Sequence, residues 1–371
     1  RKVVVVEDTV EHAAAAATSL GYESSTADWA EAVSRPDVDI VDICTPNQFH
    51  APVALAALAH GKHVFCEKPL AAEPAEAVEM ARRAAEAGVV TQVGFNYRHT
   101  PAISFVKQLL DNGELGRPLQ FRASYLGDGS FWADPNRWRA RRSTGGTGTI
   151  ADVGSHVIDA SEYLMGEIRR VVSLVRAKDP TAAWYPESTR IADSHLDEAG
   201  VWLAEYGNGA IGTFAVSSYS TGRKNRYAFD LDATKGAVEF NWNRRDEIRV
   251  SYVDERPDHR GTRTIVTGSQ HPDPWWRVTG LGLGYVEVSA IQFRHFIRAI
   301  VDGTRARPDF TDAVRVEHVV AAIHESARTG GWVSIDRTDG NDHPAGADGR
   351  GAGTVPPLSR QPVGESSDGR R

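Results

Sequence analysis

Gly61–Val90 reads GKHVFCEKPLAAEPAEAVEMARRAAEAGVV, and this stretch decides the fold class. His63–Cys66 is a short apolar run with β-branched and aromatic members, the composition of a strand buried on both faces. Gly61 ahead of it reads as the glycine that ends a helix over about Pro52–His60. Behind it, Glu73–Ala87 is the best helix in the chain: Pro74 lies in the first turn, Ala77, Val78, Ala81 and Ala84 repeat at helical spacing, and Gly88 terminates it. Val89–Phe95 returns to strand. Strand and helix alternating over short links call for a parallel sheet with right-handed crossovers.

The alternation extends toward the N-terminus. Asp39–Cys44 (DIVDIC) is a strand, Trp29–Val33 a short helix, Glu11–Leu20 an Ala-rich helix and Val3–Val6 a strand. The chain begins Arg1-Lys2 rather than Met and enters Val3 at once, so it reads as joined in mid-domain, with a central first strand and its G-x-G-x-x-G loop lacking. Four or five buried apolar residues at about 1.5 to 3 kcal/mol each rival a domain's whole stability of about 5 to 15 kcal/mol. The expectation is therefore a chain that, as given, neither folds fully nor binds a cofactor tightly.

Toward the C-terminus a helix over about Ala102–Asp111 is followed by a change of period. Leu119–Leu126 alternates like a half-buried strand, and about Ile150–Leu164 is helical. Strand-like runs follow at Val171–Val175, Gly200–Tyr206, Ala210–Ser218, Tyr227–Ala233, Ala237–Asn241, Ile248–Val253 and Arg263–Val266. Asn208-Gly209 and Lys235-Gly236 are hairpin turns, where glycine accepts positive φ. These runs predict an open, mainly antiparallel sheet. Helices over about Val286–Val301 and Asp312–Ala327 close the pattern, and from Thr338 the chain loses all periodicity, which predicts a disordered tail.

Composition narrows the function. At about 150 residues per domain, 371 residues make two or three domains. Lys plus Arg (42) against Asp plus Glu (49) gives a net charge of -7 with both signs dispersed, which disfavours nucleic acid and acidic lipid as partners. Cys44 and Cys66 cannot build a disulfide framework and point to a reducing, cytoplasmic setting. No apolar stretch approaches the roughly 18 residues of a membrane span.

Ligands of open parallel sheets bind beyond the carboxyl ends of the strands. Those ends carry Glu7-Asp8-Thr9, Thr45-Pro46-Asn47 with His50, Glu67-Lys68-Pro69 and Asn96-Tyr97-Arg98. Glu7 fits the acid that accepts hydrogen bonds from an adenosine ribose, and its charge favours NAD over NADP; a merely solvated strand-end acid has the same look. Lys68, fixed by Pro69, can donate a proton or anchor a developing alkoxide. A second constellation lies on Ile150–Leu164, where Asp152, His156 and Asp159 at i, i+4 and i+7 share one face of an otherwise apolar helix. Such a stripe implies a partly buried polar site in which His exchanges protons and Asp orients it or a substrate hydroxyl, though a structural Asp-His pair is the plainer explanation. Tyr125, Trp132, Arg137, Trp138 and Arg139, with the glycines from Gly145 to Gly148, lie just upstream; aromatic faces suit sugar rings and a nicotinamide, and arginines suit hydroxyl or phosphate oxygens. No histidine or cysteine spacing supports a metal, and no G-x-S-x-G supports a serine nucleophile.

Thr45-Pro46-Asn47 with His50, the run Gly61–Leu70, Gly94–Arg98, and Asp152-x-x-x-His156 with Asp159 resemble the Gfo/Idh/MocA oxidoreductases, over about Lys2–Asp336. Trp138-Arg139 and Leu281–Tyr285 look most similar to the levoglucosan dehydrogenase-like branch. The resemblance implies an α/β plus α+β architecture: a Rossmann-type parallel sheet, its first strand missing, over 1–100, a C-terminal open-sheet domain for substrate and oligomer contacts over 101–337, and the tail 338–371. It implies Lys68, Asp152 and His156 as catalytic residues, with Tyr125 beside Asp152 and His156 at the substrate. Glu7, Thr45, Pro46, Asn47, His50, Glu67, Asn96, Trp138 and Arg139 would meet NAD, with NADP the less favoured cofactor. The expected reaction is oxidation of a secondary hydroxyl of a sugar, anhydrosugar or polyol by hydride transfer to nicotinamide, in a homo-oligomer. His156 would take the hydroxyl proton, Lys68 would stabilise the oxyanion and Asp152 would orient hydroxyl and imidazole. NAD-assisted glycoside cleavage and a noncatalytic binding remnant are the alternatives.

Overall fold

Parallel strands form at the apolar runs and at one further segment, in two groups. The computed structural model describes residues 1–131, 138–140, 146–177, 179 and 196–335. Strand β1 (Val4–Val6) pairs in parallel with β2 (Ser24–Thr26), while β3 (Ile40–Ile43), β4 (His63–Cys66) and β5 (Thr91–Val93) make a second parallel sheet in that order. Sequence reading missed β2, because Ser-Ser-Thr carries no apolar signal; it is placed by the return of helix α1 (Val10–Leu20), which stops at Gly21 in the left-handed region (φ 72°) and lets the Ser24 amide reach the Val3 carbonyl at 3.0 Å. Helices α2 (Trp29–Ser34), α3 (His50–Ala59) and α4 (Pro74–Ala87) complete the alternation, and α4 carries the expected Pro74 start and Gly88 stop.

The second half is one nine-stranded sheet. After α5 (Pro101–Asp111) come β6 (Pro118–Leu126), α6 (Ser155–Met165), β7 (Ile168–Ala177), β8 (Asp197–Tyr206), β9 (Ile211–Ser217), β10 (Arg226–Ala233), β11 (Gly236–Asn241), β12 (Glu247–Tyr252), β13 (Arg263–Val266), α7 (Tyr285–Asp302), α8 (Phe310–Thr329) and β14 (Val333–Ser334). Their order is β13-β12-β11-β10-β6-β9-β8-β7-β14. The sheet is mainly antiparallel as expected, with one exception: β6 and β9 run parallel, because β9 returns as a hairpin partner of β8 and lands beside β6. Alternation sorts the faces. Trp202, Ala204 and Tyr206 of β8 point into the core while Val201 and Leu203, alternating with them, point out, and Phe121, Phe229 and Phe240 stack across three strands at 5.1 and 5.2 Å between ring centres.

One continuous core joins Val64, Cys66 and Phe95 of the parallel part to Ile150, Val157, Trp202 and Val319. Helix α8 lies on β7, where the Ser173 hydroxyl donates to the Ile323 carbonyl at 2.6 Å. No helix among the described residues is long and apolar enough to cross a membrane. The tail expected from Thr338, and Trp132, Arg137 and Gly145, lie outside the described residues.

Candidate active site

Strand β4 ends at fully buried Cys66, and the backbone then turns through Glu67, Lys68 and a cis Lys68–Pro69 peptide. Three groups hold this turn. The Glu67 carboxylate accepts the Lys68 amide at 3.2 Å and lies against Gly94, where a Cβ would stand only 3.0 Å from it. His50 has one ring nitrogen 2.9 Å from the Pro69 carbonyl and the other 3.0 Å from the Thr45 carbonyl. Glu317, from α8, accepts the Leu70 amide at 3.1 Å. His50 was expected to meet the cofactor. It is 0% exposed, so its place is beneath the rim, stapling the Thr45 loop to the Lys68 loop; burial lowers its pKa and favours the neutral ring.

The opposite side is built by the approach to α6. Gly148 takes φ +82°, and a Cβ there would lie 2.1 Å from the Asp197 carboxylate, so only glycine fits. Asp197, opening β8, accepts the Ile150 amide at 2.7 Å and caps the turn. The single α-helix expected over Ile150–Leu164 is corrected here: Ile150–Gly154 is a π-turn and the α-helix begins at Ser155. A π-turn frees a carbonyl and shifts the residues before it around the axis. Asp152 thereby presents both its carbonyl and its carboxylate to Lys68, whose Nζ donates to Oδ1 at 2.6 Å and to the carbonyl at 2.7 Å. The expected three-residue stripe divides accordingly. Asp159 points elsewhere, into a buried ion pair with Arg98 (Nε to Oδ2 2.9 Å).

The Lys68 side chain is 13% exposed and that of Asp152 44%, a recessed pair that a ligand can reach. Burial raises the Asp152 pKa, but the Lys68 ammonium and its hydrogen bond outweigh this and hold the carboxylate below its usual range. Arg139, whose guanidinium lies 4.2 Å over the Trp138 ring, adds to that pull. His156 is buried against Tyr97, Phe95 and Tyr125, with ring centres at 4.8, 5.9 and 6.3 Å. Burial first, and the Lys68 charge second, push its pKa well below the ordinary histidine value, so the imidazole is a neutral base. Its Nδ1 has no partner among the described residues.

Behind these groups Tyr97 and Tyr125 share a hydroxyl contact at 2.7 Å, and Asn225 accepts from Tyr125 and donates to Tyr97 at 3.2 Å. Asn225 adopts φ 55°, a conformation asparagine tolerates. Asn47 reaches Thr147 at 3.4 Å and Asn96 donates to Ser289 at 3.1 Å. Glu7 is exposed at the end of β1, in the other parallel sheet. Sequence reading brought Lys68, Asp152, His156 and Tyr125 to one place. It missed Asn225, which bonds two distant tyrosine hydroxyls, and Asp197 and Glu317, which accept backbone amides from far away in the chain.

The rim fits the nicotinamide end of a dinucleotide. Asn96 Oδ1 is buried without a partner among the described residues, and Gly94 leaves the backbone beside Glu67 without a side chain. The one G-x-G-x-x-G in the sequence, Gly207–Gly212, is the hairpin between β8 and β9 and not a strand-to-helix turn, so it is no loop for the pyrophosphate.

Comparison with known proteins agrees. Residues 1–95 match the oxidoreductase family with an NAD-binding Rossmann fold, and residues 103–239 match the GFO/IDH/MocA C-terminal domain. Levoglucosan dehydrogenase of Pseudarthrobacter phenanthrenivorans is 37% identical over 354 residues, 90% of this chain and 89% of its own. The NAD-dependent scyllo-inositol 2-dehydrogenase of Bacillus subtilis is 27% identical over 348 residues, again 90% of this chain and 89% of its own. A solved levoglucosan dehydrogenase in complex with NADH and levoglucosan superposes with a TM-score of 0.86 at 36% identity, covering 91% of this chain and 90% of that one. With this coverage and a site assembled from both matched regions, the chain belongs to the Gfo/Idh/MocA family of oxidoreductases.

Proposed function

We propose that this chain is an NAD-dependent dehydrogenase of a cyclic sugar, anhydrosugar or polyol, working at the Lys68–Asp152–His156 cluster. The observation that carries this reading is the contact of Lys68 Nζ with Asp152 at 2.6 Å, one residue from the parallel part and one from the turn on the large sheet, beside a neutral imidazole. The substrate is a secondary alcohol. His156 takes the hydroxyl proton at an imidazole nitrogen, which its lowered pKa leaves unprotonated. Lys68 holds the oxygen as negative charge builds on it, and Asp152 aims the ammonium. This is a change from the expected role of Asp152, whose carboxylate meets the lysine rather than the imidazole. When bound, oxidised nicotinamide supplies the hydride acceptor, and the alcohol carbon leaves as a carbonyl.

In this reading Glu7 receives the adenosine ribose and favours NAD, while Thr45, Pro46, Asn47, Glu67 and Asn96, with Trp138 and Arg139, line the cofactor's path. Tyr125 and Tyr97 wall the sugar ring. Residues 1–100 serve the cofactor and 101–337 the substrate. The outer face of the nine-stranded sheet carries an apolar stripe, Leu174 (75% exposed), Val201 (48%), Leu203 (48%) and Ile211 (49%), which suits a second copy of the chain. Two free cysteines, one of them buried, suit the cytoplasm.

The test is a panel of anhydrosugars, pyranoses and inositols with NAD or NADP, read as reduced cofactor. One NADH per substrate consumed, and a loss mainly in kcat on Lys68→Met, are expected. Glycosidic cleavage without net NADH, or full turnover by the Lys68→Met variant, overturns the reading.

A further inference from the structure

Helix α8 carries a buried acid that the reaction does not use. Glu317 is 6% exposed and sits among buried Val316, Val319 and Val320, with no ion-pair partner among the described residues. A carboxyl in such surroundings is costly, and burial pushes its pKa up to about 8. What it gains is backbone: it accepts the Leu70 amide at 3.1 Å, and the Ala71 amide faces the same carboxyl. Leu70 and Ala71 directly follow Lys68 and Pro69 and are themselves buried.

Two residues earlier on the same helix, Arg315 donates to Glu162 at 3.0 Å and to the Ile168 carbonyl at 2.9 Å. Glu162 belongs to α6, six residues beyond His156. Positions two apart on a helix face different ways. One side chain of α8 therefore holds the lysine loop and another holds the histidine helix.

We propose that Glu317 is a positioning residue for Lys68: by fixing the Leu70 and Ala71 amides to α8, it sets the distance between the lysine ammonium and the Asp152–His156 helix. The inference rests on the reading of Lys68 as a catalytic group. It goes beyond the Lys68–Asp152 contact, because it makes α8 the spacer between the two halves of the site. Glu67 and His50 restrain the same turn from the parallel part alone, so they cannot fix it relative to α6.

The test uses the full chain and two variants. Glu317→Gln keeps an acceptor oxygen; Glu317→Leu keeps the bulk and loses it. Turnover, melting temperature and the acetylation rate of Lys68 by acetic anhydride, followed by peptide mass and scaled to exposed Lys235, are measured on each. Misplacing a reacting group by about 1 Å costs up to about 100-fold. Glu317→Leu should therefore lose about 10- to 100-fold in kcat with KM for NAD little changed, and acetylate Lys68 several-fold faster, whereas Glu317→Gln stays near the parent in both. Parent-like kcat and acetylation in Glu317→Leu, or equal losses in both variants that track the melting temperature, overturn the proposal. If Glu317→Leu does not fold, Glu317→Asn withdraws the acceptor by one methylene and is read the same way. Should the parent reduce no NAD with any sugar, the dehydrogenase reading falls, while the acetylation rates still decide whether Glu317 holds Lys68.

Discussion

Residues 1–38 and the nine-stranded sheet contrast in how much holds them. In the first, β1 and β2 are three residues each, and the buried apolar side chains are Ala13, Ala32, Val33 and Val38. In the second, β7 and β8 run for ten residues, neighbours pair on both sides, and α6 and α8 seal one face. Burial of apolar area is the main favourable term in folding, so stability is graded along the chain. The site straddles the better-supported region: Lys68, Asn47 and Asn96 stand on β3 to β5, whose core is continuous with the large sheet, and Glu7 alone stands on the lightly packed part.

The largest effect should come from removing either half of the site. His156→Asn and Lys68→Met should each lower kcat by about 100- to 10,000-fold. Because the two groups act on one oxygen, the double variant should lose far less than the product of the single losses. Steady-state kcat for the parent and the three variants measures this. Fully multiplicative losses would mean that the two regions do not meet at one hydroxyl.

A second effect breaks the bond between the regions directly. Arg98 follows β5 and Asp159 lies on α6; their ion pair is buried, and the Arg98 guanidinium also lies 4.9 Å from the centre of the Tyr163 ring. Arg98→Met strands a buried carboxylate and should cost about 3 to 5 kcal/mol in urea unfolding. Arg98→Met with Asp159→Leu should recover most of that loss. A single substitution without effect on the unfolding midpoint would show that the core alone joins the two regions.

Much of this was legible in the residues. Apolar period marked the strands Val4–Val6, Ile40–Ile43 and His63–Cys66, and glycines marked the end of α3 (Gly61), the end of α4 (Gly88) and the β8–β9 turn (Gly209), because burial and positive φ are local requirements. Lys68, Asp152, His156 and Tyr125 were legible because polar groups in apolar runs need a reason. Other features were not. Ser24–Thr26 is a strand only because β1 lies beside it. The π-turn at Ile150–Gly154 depends on Asp197 and Gly148 meeting across 49 positions of sequence, and no periodicity records such a contact. The same distance effect moved Asp159 from the stripe to Arg98, and His50 from the cofactor to two carbonyls.

Hydrogen exchange sharpens the contrast without touching the chemistry. Amides of β1 and β2 should exchange through local opening at least about 100-fold faster than those of β8 and β9, since local opening free energies follow the buried contacts that are lost. Peptide-level exchange measures it. Equal protection in both would mean that residues 1–38 open only with the whole molecule, and the grading would be gone.

The smallest expected effect concerns the strain that the stronger region tolerates. Asp197 is buried at the head of β8, and burial pushes its pKa up to about 6, against hydrogen bonds from Ile150 and Thr149 that pull it down. The unfolded chain releases this proton near 3.8, so between pH 4 and 6 the folded protein binds more protons than the unfolded one. Stability from this group is therefore full below about pH 4 and is lost as pH rises through 6. Asp197→Asn keeps an oxygen for the Ile150 amide and cannot ionise. Its stability relative to the parent should improve by about 1 kcal/mol from pH 5 to pH 7.5. His324 faces the same carboxylate, with Nε2 3.7 Å from it, so the comparison belongs in a His324→Gln background. Asp152 is the other charge that bears on Asp197, and its carboxylate stays ionised across this range. A difference independent of pH would mean that Asp197 keeps its charge throughout, held by the backbone it caps. The turn carrying Asp152 would then be an anion site built without strain, and the large sheet would hold it as cheaply as it holds its apolar rows.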